Sequence, residues 1–102
     1  MLESTYEPTT RTLTCVLQGR LDGAMSSQLL EEIEARWAAV PDGDAKLVFE
    51  MSQVSYMASA FLRICMLMAK RMPLDRFSII QCAPLVRKTF TMAGLDRVMT
   101  IQ

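Results

Sequence analysis

From Thr12 to Gly19 the side chains Leu13, Cys15 and Leu17 fall on every second residue, whereas from Met25 to Val40 the side chains Leu29, Ile33 and Trp37 fall on every fourth. This switch of period is the strongest constraint on the fold. A repeat of two lines one face of a strand, and a repeat near 3.6 lines one face of a helix. A short strand around Glu3 to Glu7 can pair antiparallel with Thr12 to Gly19 through the turn near "PTTR". In the helix, Leu30 and Val40 flank the apolar stripe and Glu31, Glu32, Glu34 and Arg36 take the other side, with Asp22 and Ser26 as alternative caps and "PDGD" as the turn that ends it. Ala45 to Met51 is an apolar run of strand length, and Ser59 to Met72 reads as a second helix that Pro73 stops. Arg76 to Gln81 is another strand, "APLVRKTFTMAG" a third helix punctuated by Pro84 and Gly94, and "RVMTI" a last strand. This order implies an α/β fold, a mixed sheet of four to five strands with parallel central strands and about three covering helices, built as one domain over residues 1–102.

Composition removes several function classes. Eleven basic and eleven acidic residues cancel, and no cluster of Lys and Arg tracks a phosphate backbone, so no nucleic-acid partner is expected. The apolar stretch Ile64 to Ala69 is far shorter than the roughly 20 residues of a bilayer span, and "MLESTYEP" lacks the charged and apolar regions of a signal peptide. Three cysteines, Cys15, Cys65 and Cys82, cannot all pair internally and none has metal-type spacing, which fits a reduced, cytoplasmic protein. Histidine is absent, no Gly-rich phosphate loop is present, and the carboxylates show no pairing for acid–base work. No enzymatic activity, cofactor or metal is therefore expected. Hydrophobic residues make up 51% of the chain, nine of them Met, and a domain this small has little interior to hide them. Part of that apolar surface is available for a partner or a second copy of the chain.

Two features carry opposed readings. Ser59 is the lone hydroxyl in "MASAFLR", where the second helix begins. It is either a cap for the first N–H groups or a position at which a phosphoryl group, with a charge of roughly −1.5 to −2, would alter binding. The helix itself, with Ala60, Phe61, Leu62, Ile64, Cys65, Met66, Leu67, Met68 and Ala69, is apolar on nearly every side. It is either a deeply packed core helix or one that also presents Phe61 and methionines for docking. Arg87, Lys88 and Arg97 read as solvated charges, and Cys65 and Cys82 as small core hydrophobes.

The segments "LQGRLD" (Leu17 to Asp22), "LVFEMSQVSYMASAFLR" (Leu47 to Arg63) and "PLVRKTFTMAGLDRVM" (Pro84 to Met99) together resemble the STAS domain of bacterial anti-sigma factor antagonists. The resemblance implies a regulatory binding protein in a partner-switching pathway. Its unmodified form binds a serine kinase that also acts as an anti-sigma factor, phosphorylation releases it, and a protein phosphatase restores it. Ser59 matches the modified serine. Ala58, Phe61, Leu62 and Arg63 around it, with Arg20 and Asp22 of the "GRLD" segment, match the partner-binding surface. Ala58 and Phe61 depart from the family's Asp or Ser and Gly, and Glu50 replaces Asp. These departures motivate an alternative, a non-switching STAS subunit of a transporter accessory complex or signalling scaffold.

Overall fold

The computed structural model describes residues 2–41, 43–72 and 75–102. Pro73, expected to stop the second helix, and Asp42 of the "PDGD" turn lie outside them. The elements are β1 (Leu2–Glu7), β2 (Thr12–Leu21), α1 (Gly23–Ala38), β3 (Lys46–Met57), α2 (Ser59–Arg71), β4 (Phe77–Ile80), α3 (Pro84–Met92), a 3-10 turn (Leu95–Arg97) and β5 (Thr100–Ile101). They form one five-stranded sheet in chain order, with β1 antiparallel to β2 and every later pair parallel. Strands laid down in chain order with crossovers of one hand place their helices on one face.

Burial follows from that arrangement. Leu13, Cys15 and Leu17 of β2, Leu47, Phe49 and Met51 of β3, and Phe77 and Ile79 of β4 point into the core, where Leu29 and Ile33 of α1, Phe61, Ile64, Cys65 and Met68 of α2, and Val86 and Phe90 of α3 meet them. The rings of Phe49 and Phe77 pack edge-on at 5.0 Å, and the Phe61 ring lies tilted 6.0 Å from that of Phe49. Such pairs contribute about 0.5–1.5 kcal/mol each beyond the area they bury. The opposite sheet face, with Thr14, Val16, Val48, Glu50, Ser78 and Ile80, stays half-exposed. Parallel sheets are usually covered on both faces. Here the open face is what leaves a period of two in the strand sequences.

Two bulges change the reading of β3. Val16 and Gln18 of β2 pair with Glu50 and Gln53, and Gly19 and Arg20 pair with Val54 and Tyr56, so β3 carries one extra residue at each step. Local hydrogen bonds hold both: the Ser52 N–H donates to Glu50 Oε1 at 2.7 Å, and Ser55 Oγ donates to the Gly19 carbonyl at 3.4 Å. Gly19 takes φ +83°, a left-handed value that glycine reaches without steric cost. Beyond Met51 the buried residues of β3 are Val54 and Met57, a spacing of three. The strand expected to end at Met51 therefore continues to Met57, and the last strand is shorter than "RVMTI", because Leu95 to Arg97 form a turn.

Candidate functional site

Parallel strands joined by helices bring the C-terminal ends of β2 and β3 and the N-termini of α1, α2 and α3 to one edge of the domain. Arg20 pairs with Tyr56 and Leu21 with Met57 across the last rungs of β2 and β3, and the Ala58 N–H donates to the Leu21 carbonyl at 2.9 Å. These contacts set the start of α1, at Asp22, beside the start of α2. The second bulge turns Arg20 onto its neighbour, with its guanidinium carbon 4.4 Å from the centroid of the Tyr56 ring. A stacked arginine of this kind is held in place by cation–π attraction of about 0.5–1 kcal/mol at an exposed site.

The helix starts differ. Asp22 caps α1: its Oδ1 accepts from the Met25 N–H at 2.9 Å. Ser26, the alternative cap, lies inside the helix and is buried. At α2 the cap position is held by Ala58, in extended conformation at φ −87° and ψ 165°, which makes no side-chain cap hydrogen bond and accepts from the Phe61 N–H through its carbonyl at 3.0 Å. Ser59 is therefore not the cap. It is the first helical residue, and it is exposed. The α2 N-terminus thus points uncapped N–H groups and the positive end of its dipole toward the edge where the Ser59 hydroxyl stands. Arg63, one turn along at the i+4 position, is exposed on the same side of the helix.

The expected surface residues separate into two groups. Arg20, Asp22, Ser59 and Arg63 are exposed and Ala58 and Leu62 half-buried, whereas Phe61 is fully buried against Phe49. Its assignment to the partner-facing surface is corrected accordingly: with 0% exposure it is a core anchor of α2. Tyr56, 41% exposed, and Leu85, 79% exposed at the start of α3, occupy the edge that Phe61 was expected to occupy. Together with Ser55, Met57, Val86 and Thr89 they line a shallow depression between β3 and α3. The apolar run Ala45 to Met51 alone gives no sign of Tyr56, because the bulges carry the strand on to Met57. Leu85 carries a signal that the sequence does offer, an apolar residue directly after the helix-opening Pro84 on the side away from buried Val86 and Phe90.

The thiols are shielded. Burial pushes Cys15 up to about 11 and raises Cys65 well above its ordinary value, and the half-buried Cys82 is also raised by desolvation, with Arg87 opposing. Among the described residues no cluster of His, Cys, Asp or Glu is placed to hold a metal ion, and no helix is long and apolar enough to cross a membrane.

The family model described as "Mlab, STAS domain" matches residues 4–101. The chain belongs to the STAS-domain family. BtrV of Bordetella bronchiseptica, provisionally named an anti-sigma factor antagonist, is 32% identical over 84 residues, which cover 79% of this STAS domain and 72% of BtrV. Among solved structures, the unphosphorylated anti-sigma factor antagonist SpoIIAA aligns over 100% of this chain and 88% of its own, with a TM-score of 0.75 at 20% identity. A STAS-domain anti-sigma factor antagonist of Planctomyces limnophilus aligns over 99% and 87%, with a TM-score of 0.82 at 17% identity. At those identities the likeness establishes the fold, and it agrees with the mixed sheet and three helices expected from sequence.

Proposed function

We propose that this STAS domain is an anti-sigma factor antagonist of the partner-switching type, a cytoplasmic, non-enzymatic binding module whose single domain is switched at Ser59. The unmodified protein binds a serine kinase that doubles as the anti-sigma factor, phosphorylation of Ser59 by that kinase ends the complex, and a phosphatase renews it. The observation that carries this reading is the exposed Ser59 at a helix N-terminus that has no side-chain cap. The names of BtrV and SpoIIAA support it, and SpoIIAA of Bacillus has been solved in a phosphorylated form as well.

The physics of the switch is an asymmetry between the domain and its partner. A phosphoryl group on Ser59 would meet the favourable end of the α2 dipole, worth about 0.3–1 kcal/mol, with the Arg63 guanidinium one turn away. The fold should absorb it. A partner fitted to the neutral hydroxyl beside Arg20, Tyr56 and Leu62 would have to desolvate the new charge, and each 1.4 kcal/mol of that penalty weakens binding tenfold. A few kcal/mol gives release by about a hundredfold or more. The test is mass spectrometry of the protein from its native cell, with and without the cognate kinase gene, combined with binding of a Ser59→Asp variant. Phosphate on Ser59 only when the kinase is present, with weakened binding by the variant, supports the reading. An unmodified Ser59 in both strains and a variant that binds like wild type would end it.

A second reading follows from Ala58 and the buried Phe61. A STAS domain with an altered switch segment can serve as a permanent subunit of a larger assembly, such as a transporter accessory complex or a scaffold. Recovery of a stoichiometric complex insensitive to phosphatase treatment would favour it over the switch.

A further inference from the structure

The groove between α1 and α2 shares Arg63 with the Ser59 surface, but what it binds does not depend on the switch. Ser26, Ser27 and Leu30 of α1 face Ala60, Arg63, Ile64 and Leu67 of α2 across an open depression of about 190 Å³. A second depression of about 250 Å³ adjoins it, lined by Arg63, Met66, Leu67 and Lys70. The two share Arg63 and Leu67, and the second is lined by α2 alone, so they adjoin across the Arg63–Leu67 row of that helix. Each is smaller than the roughly 300 Å³ at which small-molecule sites begin, and each is the size to take one large apolar side chain. Leu67, 36% exposed, is the ridge between them.

The charged residues that line the two depressions, Arg63 and Lys70, are both cations. Arg63 and Lys70 are exposed at its rim, and among the described residues neither is paired with a carboxylate, whereas the adjacent Arg71 is held by Glu34 of α1. The floor holds an unmet polar group as well. Ser26 is 1% exposed, and among the described residues its Oγ has no hydrogen-bond partner. An apolar furrow of two successive hollows, rimmed by two unpaired cations and floored by an unsatisfied hydroxyl, is complementary to an acidic amphipathic surface.

We propose that this groove docks an acidic amphipathic helix of a partner protein. Two apolar side chains one turn apart enter the two hollows, ridge against groove, and a carboxylate on the neighbouring row of the helix meets the Arg63 fork, with a second reaching Lys70. The docked helix covers Leu67.

The test is an NMR titration of the full chain with an alanine-based helical peptide of about 15 residues, long enough to hold a helix, carrying two leucines one turn apart and glutamates on the adjacent row. A matched peptide with lysines for the glutamates is the control. The expected result is amide shifts at Ser27, Leu30, Ala60, Ile64 and Leu67, with affinity about tenfold or more above that of the lysine peptide. Leu67→Asp, at an exposed position, should abolish those shifts and leave the rest of the spectrum in place. The proposal is overturned by any of three results: no shifts at millimolar peptide, equal binding of the lysine peptide, or concentration-dependent shifts of the same residues without peptide, which would assign the groove to a second copy of the chain.

Discussion

Replacing Ala58 by Asp should stabilise the domain. The position already has the extended backbone of a helix cap, its N–H is engaged by the Leu21 carbonyl, and its side chain offers no acceptor to the first turn of α2, where the Phe61 and Leu62 N–H groups donate to the Ala58 carbonyl at 3.0 and 3.4 Å. An Asp side chain needs only to reach the first-turn N–H groups, as Asp22 reaches the Met25 N–H on α1. Supplying a missing cap is worth about 1 kcal/mol, and a carboxylate at the positive end of the helix adds about 0.3–1 kcal/mol. For a domain of 102 residues each kcal/mol moves the melting temperature by about 4–8 °C, so Ala58→Asp should melt about 5–16 °C higher in thermal unfolding followed by circular dichroism. Asp22→Ala is the mirror experiment and should lose about 1 kcal/mol, or roughly 5 °C. An Ala58→Asp protein that melts at or below the wild-type temperature, while Asp22→Ala falls as expected, would show that the α2 N-terminus has no unmet N–H groups. It would remove the anion-favouring end on which the Ser59 argument rests.

Further outcomes follow from the same geometry. Phe61→Ala should cost about 3–5 kcal/mol, because it empties a fully buried site against Phe49, and chemical denaturation showing a loss under about 1 kcal/mol would return Phe61 to the surface. Gly19→Ala should cost about 1–2 kcal/mol from backbone strain alone, since φ is +83° and no atom lies within 4 Å of the added methyl; a neutral result in the same assay would mean that the bulge is not held in this conformation. The unfolded Cys15 thiol ionises near its ordinary value while the native one waits until about 11, so above about pH 9 the native state binds more protons than the unfolded. Stability from this group, intact below that pH, is therefore lost as pH rises to about 11, and Cys15→Ala should show a shallower decline over that window, measured as unfolding free energy against pH. Equal slopes would contradict the burial of Cys15.

The sequence made the fold legible where one side of an element meets water. The period of two in β2 survives because the far face of the sheet is open, and the stripe Leu29–Ile33 of α1 stands out against exposed Glu31 and half-exposed Glu32 and Glu34. Legibility failed where geometry departs from a single period. The two bulges of β3 change its burial spacing from two to three, so the strand could not be followed past Met51, and Tyr56 went unseen at the edge it shares with Arg20. In α2 the apolar residues surround the helix, and composition alone could not say that Phe61 faces the core while Leu67 faces the groove. Ser59 was placed correctly at the start of α2, but only the backbone angles show that Ala58 holds the cap position.

The central claim is that a phosphate on Ser59 is tolerated by this domain and refused by its partner. Its most direct test is the dissociation constant of the kinase partner recovered from native cells, measured by calorimetry against unmodified and Ser59-phosphorylated protein under identical salt. Binding should be weaker by about a hundredfold or more for the phosphorylated form, with its melting temperature within a few degrees of the unmodified one. Affinities within about threefold of each other, or a phosphorylated domain that no longer folds, would contradict it.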